Sequence, residues 1–257
     1  GEPYSIPRLG DEETVDKLQA LRLYDQYRDL ITTAPLEIIY SGSAELDRVR
    51  QALAAAFATL PREEVRTIAD AVPHVCRESV QTVEDEMEVT QGKLSMGFSC
   101  GSDDMPALLL GNTLFGGSSN SKLFLNVREK LSLCYYASSM YHRQKGIITV
   151  SSGIEFQNYQ RAYDEILSQL AAVQNGELEE WELAGARSTL LNSYATVGDS
   201  QGKLENFYLG QAATGRSETP ADLAQAVMEV SAERICRAMS TVKLDTVYFL
   251  KGKEAQA

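Results

Sequence analysis

The sequence predicts an α+β fold. Around residues 93–100, apolar and polar side chains alternate at the period of a half-buried strand, whereas from residue 159 onward apolar side chains recur every three to four positions, as in amphipathic helices. A pattern of helix end, short connection and strand also occurs twice in the 257 residues. Hydrophobic residues make up 44% of the chain and charged residues 23%, proportions typical of a globular protein with a core.

The first 60 residues predict two helices around a short strand. Apolar side chains at three-to-four spacing indicate a helix over residues 11–33, which Pro35 ends. Residues 36–40 have the composition of a strand, and residues 43–60 form a second amphipathic helix that Pro61 closes.

Residues 61–88 are rich in charge and show no clear period, and we predict a linker over residues 71–88. Four of the five residues 84–88 are acidic, which we interpret as a solvated face.

The remainder predicts one α+β unit. The strand at 93–100 is followed by a helix over 106–115, which Asp103 or Asp104 caps, and by another over 119–130. The other predicted elements are strands at 133–141 and 146–152, helices at 159–173, 179–197, 201–214, 220–229 and 232–241, and a last strand at 244–250.

A short internal repeat indicates two related units. Residues 32–40 align with residues 240–248, and the offset between Tyr40 and Tyr248 is 208 residues. The counterpart of the strand near residue 89 would precede the first residue, so we expect the chain to begin inside its first repeat. We therefore predict three parts, namely the tail of a truncated first repeat at 1–70, the linker at 71–88 and a second repeat at 89–257.

The charge and composition limit the kinds of binding partner that we expect. Against 36 Asp and Glu there are only 24 Lys and Arg, a net charge of −12. We expect no nucleic-acid partner, because phosphate backbones attract basic surfaces. No apolar run approaches the roughly 20 residues that cross a bilayer, and no signal segment opens the chain, so we expect a cytoplasmic protein without a membrane partner. The four cysteines lack C-x-x-C spacing and are expected as buried or half-buried free thiols.

Motifs for catalysis by this chain alone are missing. His74 and His142 have no second ligand at metal-binding spacing, and we expect both to be exposed to solvent. No H-E-x-x-H, H-x-x-E-H or G-x-S-x-G motif occurs, so we predict no metal ligand and no catalytic residue. The glycine-rich residues 115–122 lack the second glycine of a P-loop, and fit a helix break with an N-cap better than a nucleotide site.

The most specific segment covers residues 114–136. It reads Leu-Phe-Gly-Gly-Ser-Ser-Asn-Ser-Lys-Leu-Phe-Leu-Asn-Val-Arg-Glu-Lys-Leu-Ser-Leu-Cys-Tyr-Tyr. This resembles the second-half signature of the pitrilysin/insulinase-type zinc peptidases, a family that includes the mitochondrial processing peptidase. Ser132 stands where glycine is common in that family. Further segments resemble landmarks of the family, so the resemblance covers nearly the whole chain: 7–10, 40–42, 57–61, 176–183 and 230–234.

The resemblance implies two homologous α+β halves, each with a mixed or antiparallel sheet covered by helices, which face one another across a peptide-holding cavity. It also implies that zinc and the general base belong to an H-x-x-E-H helix in the other half. We therefore expect the substrate-holding C-terminal portion of a metallopeptidase, inactive alone. Its implied partners are a peptide or unfolded polypeptide and a zinc-bearing half, in the same parent chain or in a partner subunit. A catalytically inactive scaffold subunit of the same fold is the alternative, and homodimerisation is open.

At positions that match the family's motif, the resemblance implies that Arg128 and Tyr135 hold substrate near the metal. A guanidinium or a phenol hydroxyl can stabilise a developing oxyanion. Arg128 could instead pair with Glu129, and Tyr135 could pack in the sheet. Tyr136 is the alternative inward residue, because a one-residue shift of register swaps the face of a strand. An exposed sheet edge could hold the peptide through its main chain.

Overall fold

The computed structural model describes residues 3–67 and 74–253. The ends of the predicted first repeat (1–2 and 68–70), the first three residues of the predicted linker (71–73) and the C-terminal residues 254–257 lie outside the described residues. The chain separates into two compact units. Unit 1 comprises residues 1–71 and 204–215, and unit 2 comprises residues 72–203 and 216–257. The division into two repeats stays a prediction.

The regular structure described in unit 1 is helical. Its elements within residues 3–67 are a 3-10 turn at Pro3–Ser5, α1 at Glu12–Asp16, α2 at Ala20–Thr33 and α3 at Leu46–Phe57, and residues 204–213 of a helix later in the chain also belong to it. The single helix predicted over residues 11–33 is thus two helices, because the backbone at Gln19 is extended, with φ of −110° and ψ of 141°. Arg62 holds the end of α2 by donating to the carbonyl oxygens of Ile31 and Ala34, each at 2.6 Å.

The strand predicted at residues 36–40 is wrong, since these residues have no regular secondary structure. Leu36, Ile38 and Tyr40 are at least 40% exposed. A strand is stable only when its backbone groups pair with a neighbour, and the described residues of unit 1 contain no strand that could serve as one.

Unit 2 is built on a five-stranded mixed sheet, which confirms the predicted α+β class. Its strands are β1 at Gln81–Met87, β2 at Gly92–Ser99, β3 at Cys134–His142, β4 at Ile147–Ile154 and β5 at Lys243–Gly252. Their order across the sheet is β1-β5-β2-β4-β3. The pairing of β1 with β5 is parallel and the other pairings are antiparallel, so β1 and β3 form the two edges.

Strand β1 occupies residues 81–87 of the segment predicted as a linker, so this part of the segment is a strand. Its side chains are all exposed, so no burial pattern marks it in the sequence, and β5 supplies its pairing. The acidic residues of β1 are solvated, as predicted, and Lys251 of β5 contacts two of them, Glu84 at 3.1 Å and Glu86 at 3.2 Å. These exposed pairs contribute little to stability.

Helices cover one face of the sheet. They are α4 at Met105–Asn112, two π-helical segments at Thr113–Gly117 and Leu123–Lys130, α5 at Tyr159–Gln174, α6 at Glu180–Ala195, α8 at Pro220–Met228 and α9 at Ala232–Met239. Two 3-10 turns, Phe156–Asn158 and Val197–Asp199, and helix α7 at Gln201–Ala213 complete the described elements. The core lies beneath this layer, where Leu94, Met96 and Phe98 of β2 are at most 1% exposed.

An ion pair joins two of the covering helices. Asp104 caps α4 by accepting from the Ala107 N–H, and both its oxygens accept from the Arg234 guanidinium of α9, at 2.9 and 3.0 Å. The Arg234 hydrogen bonds lower the pKa of Asp104. The cap and the bidentate contact together fix the start of α4.

The prediction that both histidines are exposed is wrong, because each is half-buried. Each ring also makes a hydrogen bond to a strand of the sheet. The His74 ring lies 2.9 Å from Asp245 on β5, and the His142 ring lies 3.0 Å from Thr149 on β4. Burial by itself raises the pKa of Asp245, but hydrogen bonds from His74, Thr246 and the Arg77 backbone lower it to about 2.

The four cysteines are half-buried free thiols, as predicted. No helix in the two described ranges is both long and apolar enough to span a bilayer.

Candidate functional site

A glycine allows the π-helical segment Thr113–Gly117 to lie directly against β3. A Cβ atom on Gly116 would approach the Ser139 backbone nitrogen to 2.7 Å, closer than side chains tolerate. The Ser139 hydroxyl donates to the Asn112 side-chain oxygen at 2.7 Å, which holds the segment in place. The glycine pair that we interpreted as a helix break is therefore also one wall of a cavity beside the sheet.

A buried ion pair anchors the chain that follows this wall. Lys122 Nζ lies 3.0 and 3.1 Å from the two carboxylate oxygens of Glu182 on α6. The exposed fractions of the two side chains are 10% and 7%. Glu182 also accepts from the Glu179 backbone N–H at 2.9 Å, so its carboxylate has a second donor besides Lys122.

The π-helical segment Leu123–Lys130 presents Arg128 to the cavity. Leu123 and Val127 of this segment are buried, so the opposite side of the segment faces outward. The Arg128 guanidinium carbon lies 4.7 Å from the centre of the Phe124 ring, a cation–π contact. Arg128 Nη1 also lies 3.5 Å from Glu129, the pairing that we considered from the sequence.

Ser132 takes an unusual backbone conformation where the π-helical segment meets β3. Its φ of 48° lies in the left-handed region, which favours glycine. This accounts physically for the glycine that is common here in the family that the sequence resembles.

A bulge in β3 separates the two tyrosines. Cys134 pairs with Ile154 and Tyr136 pairs with Gly153, so Tyr135 is the extra residue. Tyr136 lies over Gly153, where a Cβ atom would be only 2.6 Å from its ring. The two side chains therefore face different surroundings, and a simple alternation of residues does not describe this end of β3.

A cavity of about 660 Å³ lies beside β3 and contains both Arg128 and Tyr136. Its other walls come from the glycine-rich segment 116–119 and from β4. Tyr135, which is 67% exposed, lines a second cavity of about 380 Å³ together with Ser132 and Glu155. The structure thus brings Arg128 together with Tyr136, the alternative tyrosine, rather than with Tyr135. The role of each residue in substrate binding stays a prediction.

The cavity combines apolar surface with few charges. Phe124, Tyr136 and Met140 contribute aromatic and thioether groups. His142 also lines it, and burial lowers the pKa of this histidine, so the ring is neutral at pH 7. Among the described lining residues, Arg128 is the permanent cation.

The described residues do not fit a zinc site. In the described part of the chain, no group of three or more His, Cys, Asp or Glu side chains is arranged to hold a metal ion. The two histidines make separate hydrogen bonds to Asp245 and Thr149. A zinc site needs three or four such ligands, and no step of a mechanism is therefore assigned to a metal on this chain.

A family model described as the peptidase M16 inactive domain matches residues 17–190. The chain belongs to this family. The resemblance to the pitrilysin/insulinase-type peptidases is thereby confirmed, and the chain is an inactive-domain member of a metallopeptidase family.

Relatives support the same assignment. The chain is 36% identical over 259 residues to the probable inactive metalloprotease YmfF of Bacillus subtilis (strain 168), covering 98% of the chain and 60% of that protein. A conserved protein of Enterococcus faecalis V583 has a similar structure, with a TM-score of 0.86 and 26% identity over 100% of this chain and 61% of its own. The peptidase M16 inactive domain from Pseudomonas fluorescens shares the fold, with a TM-score of 0.76 and 16% identity over 99% of this chain and 63% of its own. The chain spans about three fifths of the length of each.

Sequence reasoning missed Phe124. The spacing of Phe124 and Arg128, four residues apart on a helical segment, was the available signal, since side chains at this spacing are neighbours. The glycine-rich segment also contributes to the cavity beside β3, a role that depends on its tertiary contacts and has no signal in the sequence.

Proposed function

We propose that this chain holds an extended peptide beside strand β3 and does not hydrolyse it alone. The zinc-bearing half, in the same parent polypeptide or in a partner subunit, would supply the chemistry. The observation that carries the proposal is the free edge of β3, which adjoins the cavity that Arg128 and Tyr136 line.

The free edge supports binding through the main chain. Strand β3 pairs with β4 on one side, and no other described strand pairs with it on the other side. An edge strand presents unpaired N–H and C=O groups that an added strand can satisfy. Main-chain pairing is largely independent of sequence, which suits a protein that handles unfolded polypeptide.

The cavity supports contacts to the side chains or carbonyl groups of such a peptide. Arg128 is 40% exposed and is held over Phe124, so its N–H groups are accessible and oriented. The Tyr136 ring occupies the same cavity, and a phenol hydroxyl can donate to a peptide carbonyl.

Binding of one polypeptide in two states tests the proposal. The full chain is titrated against fluorescein-labelled α-lactalbumin, either native or reduced and carboxymethylated, and fluorescence anisotropy is measured. We expect binding of the unfolded form only, weakened about tenfold by Arg128→Ala. The exposed Arg161→Ala on α5 is the matched control and should bind as wild type does. Binding of neither form, or equal binding by Arg128→Ala and wild type, would overturn the proposal.

The two tyrosines are compared in the same assay. Tyr136→Phe should weaken binding more than Tyr135→Phe, because only Tyr136 shares a cavity with Arg128. The reverse order would assign the role to Tyr135, as the resemblance implies.

Partner dependence is tested by mass spectrometry of the unfolded substrate. The chain alone with zinc should leave it intact, and the chain mixed with a zinc-bearing half should give metal-dependent cleavage. Cleavage by the chain alone would contradict the proposal.

A cytoplasmic location stays a prediction.

A non-proteolytic scaffold is the second candidate, favoured by the similarity to a probable inactive metalloprotease of Bacillus subtilis. The scaffold candidate predicts that adding a zinc-bearing half does not give cleavage. The chain would then bind either unfolded polypeptide without cleaving it or a folded subunit instead of unfolded polypeptide.

A further inference from the structure

We propose that the cavity beside β3 selects acidic peptides, with Arg128 binding the carboxylate of an Asp or Glu side chain. The inference rests on the proposed function and adds a substrate class to it. Arg128 is then the specificity-determining residue of the site, and Phe124 is the residue that positions it.

The charge of the cavity differs from that of the protein. The chain carries a net charge of −12, yet among the described lining residues there is one permanent cation, Arg128, and no Asp or Glu. His142 stays neutral at pH 7, since burial lowers its pKa. The described lining therefore complements an anionic side chain and has no carboxylate to pair with a cationic one.

The donors of Arg128 are available to a ligand. A guanidinium has five N–H donors, and within the described residues Arg128 makes no hydrogen bond with any of them. Its one ion contact, to Glu129, is 3.5 Å long and joins side chains that are 40% and 54% exposed. An exposed pair of this length contributes little, so a well-placed carboxylate can replace it.

Phe124 orients these donors. The ring lies 4.7 Å from the Arg128 guanidinium carbon and supports the cation from one side. A cation held on an aromatic ring keeps its peripheral N–H groups free for bidentate contacts. Phe124 also lines the same cavity, so the stacked pair forms part of its wall.

Two hydroxyl groups can satisfy further lone pairs of the carboxylate. Ser138 of β3 and Ser151 of β4 are directly opposite in register, and both line the cavity. Neither hydroxyl makes a hydrogen bond to another described residue. A carboxylate accepts up to four hydrogen bonds, and the guanidinium and the two hydroxyls are donors of the kind it needs.

The test uses unstructured fluorescein-labelled peptides of serine, threonine and valine that differ at one scanned position, which is Glu, Gln or Lys. Anisotropy titrations with the full chain measure the affinities. At the scanned position where affinity depends most on the residue, we expect the Glu peptide to bind about tenfold more tightly than the Gln peptide, a difference of about 1.4 kcal/mol. The Lys peptide should bind most weakly. The preference should shrink as salt is added, because the contact is partly exposed.

Variants separate the two roles. Arg128→Glu should reverse the order, so that Lys binds more tightly than Glu, whereas the matched control Arg161→Glu should preserve the wild-type order. Phe124→Leu, which keeps apolar volume without the aromatic face, should reduce the preference to about threefold, and Phe124→Trp should restore it. A merely structural role of Phe124 predicts equal loss for all three peptides.

The outcomes distinguish this inference from the proposed function. Binding of all three peptides with equal affinity, or an unchanged order in Arg128→Glu, would overturn the carboxylate preference and leave the proposed function standing. Failure of every peptide, together with failure of unfolded α-lactalbumin, would overturn both. An equal loss for the three peptides in Phe124→Leu would remove the positioning role alone.

Discussion

Replacing Lys122 by methionine tests the buried ion pair that anchors the chain before Arg128. The substitution keeps most of the apolar stem but leaves Glu182, which is 7% exposed, without its cation. Removing one partner of such a pair costs about 3 to 5 kcal/mol. Because Glu182 keeps its hydrogen bond from the Glu179 N–H, we expect the lower end, a loss of about 3 kcal/mol in the free energy of unfolding.

Urea unfolding measures this loss. With an m-value of about 2 kcal/mol/M, the midpoint should fall by about 1.5 M. The chain has one tryptophan, Trp181, next to Glu182, so its fluorescence reports the local transition and far-UV circular dichroism reports the whole.

A double variant tests whether the unpaired charge causes the loss. The variant carrying both Lys122→Met and Glu182→Leu should be more stable than Lys122→Met alone, because no buried charge is left unpaired. The exposed Lys203→Met is the matched control and should stay within about 0.5 kcal/mol of wild type. A Lys122→Met protein as stable as wild type, or a double variant no better than the single one, would refute the reasoning.

Three further predictions concern single sites. Ser132→Gly should raise the free energy of unfolding by about 1 kcal/mol by relieving the left-handed backbone, and thermal melting checks this against Ser132→Ala, which should give no gain. Gly116→Ala should cost about 2 kcal/mol and weaken binding of unfolded α-lactalbumin, because the new methyl group meets β3, whereas Gly198→Ala, with nothing within 4 Å, should be neutral to both measurements. The pKa of Asp245 is lowered from 3.8 to about 2, so the ionised side chain stabilises the folded protein above pH 3.8, and this stabilisation is lost as the pH falls toward 2. The free energy of unfolding in urea, measured against pH, should lack this acid-dependent loss in Asp245→Asn. Identical pH profiles for wild type and Asp245→Asn would contradict the assignment.

Strands that bury one face could be predicted from the sequence. In β2, Leu94, Met96 and Phe98 alternate with smaller or polar residues, because one face of the strand packs under helices and the other does not. Helix starts with capping residues could also be predicted from the sequence, because Asp104 and Thr219 act through contacts to the residue three positions later.

Elements that depend on distant partners could not be predicted. Strand β1 is exposed on both faces and exists because β5, whose paired residues lie 165 positions later, pairs with it. Residues 36–40 carry a pattern like that of β5, yet they form no strand, and the described part of unit 1 contains no strand that could pair with them. Local composition does not show whether a pairing strand is present elsewhere in the fold.

The sequence indicates Arg128 as a candidate site residue, but it does not indicate the geometry around it. The signature segment led to Arg128, and the structure places this residue in a cavity. The bulge at Tyr135 arises from the pairing of β3 with β4, a property of two strands together, so sequence alone left Tyr135 and Tyr136 as alternatives.

The position of β5 has a consequence for how the protein is made. It is the last of the five strands along the chain, yet it lies between β1 and β2 and hydrogen-bonds to both. Until β5 emerges from the ribosome, β1 has no partner among the described strands, and the hairpin of β3 and β4 can pair only with β2. Sheet completion therefore requires closure of a very long loop, and this late insertion should be the slow step of folding.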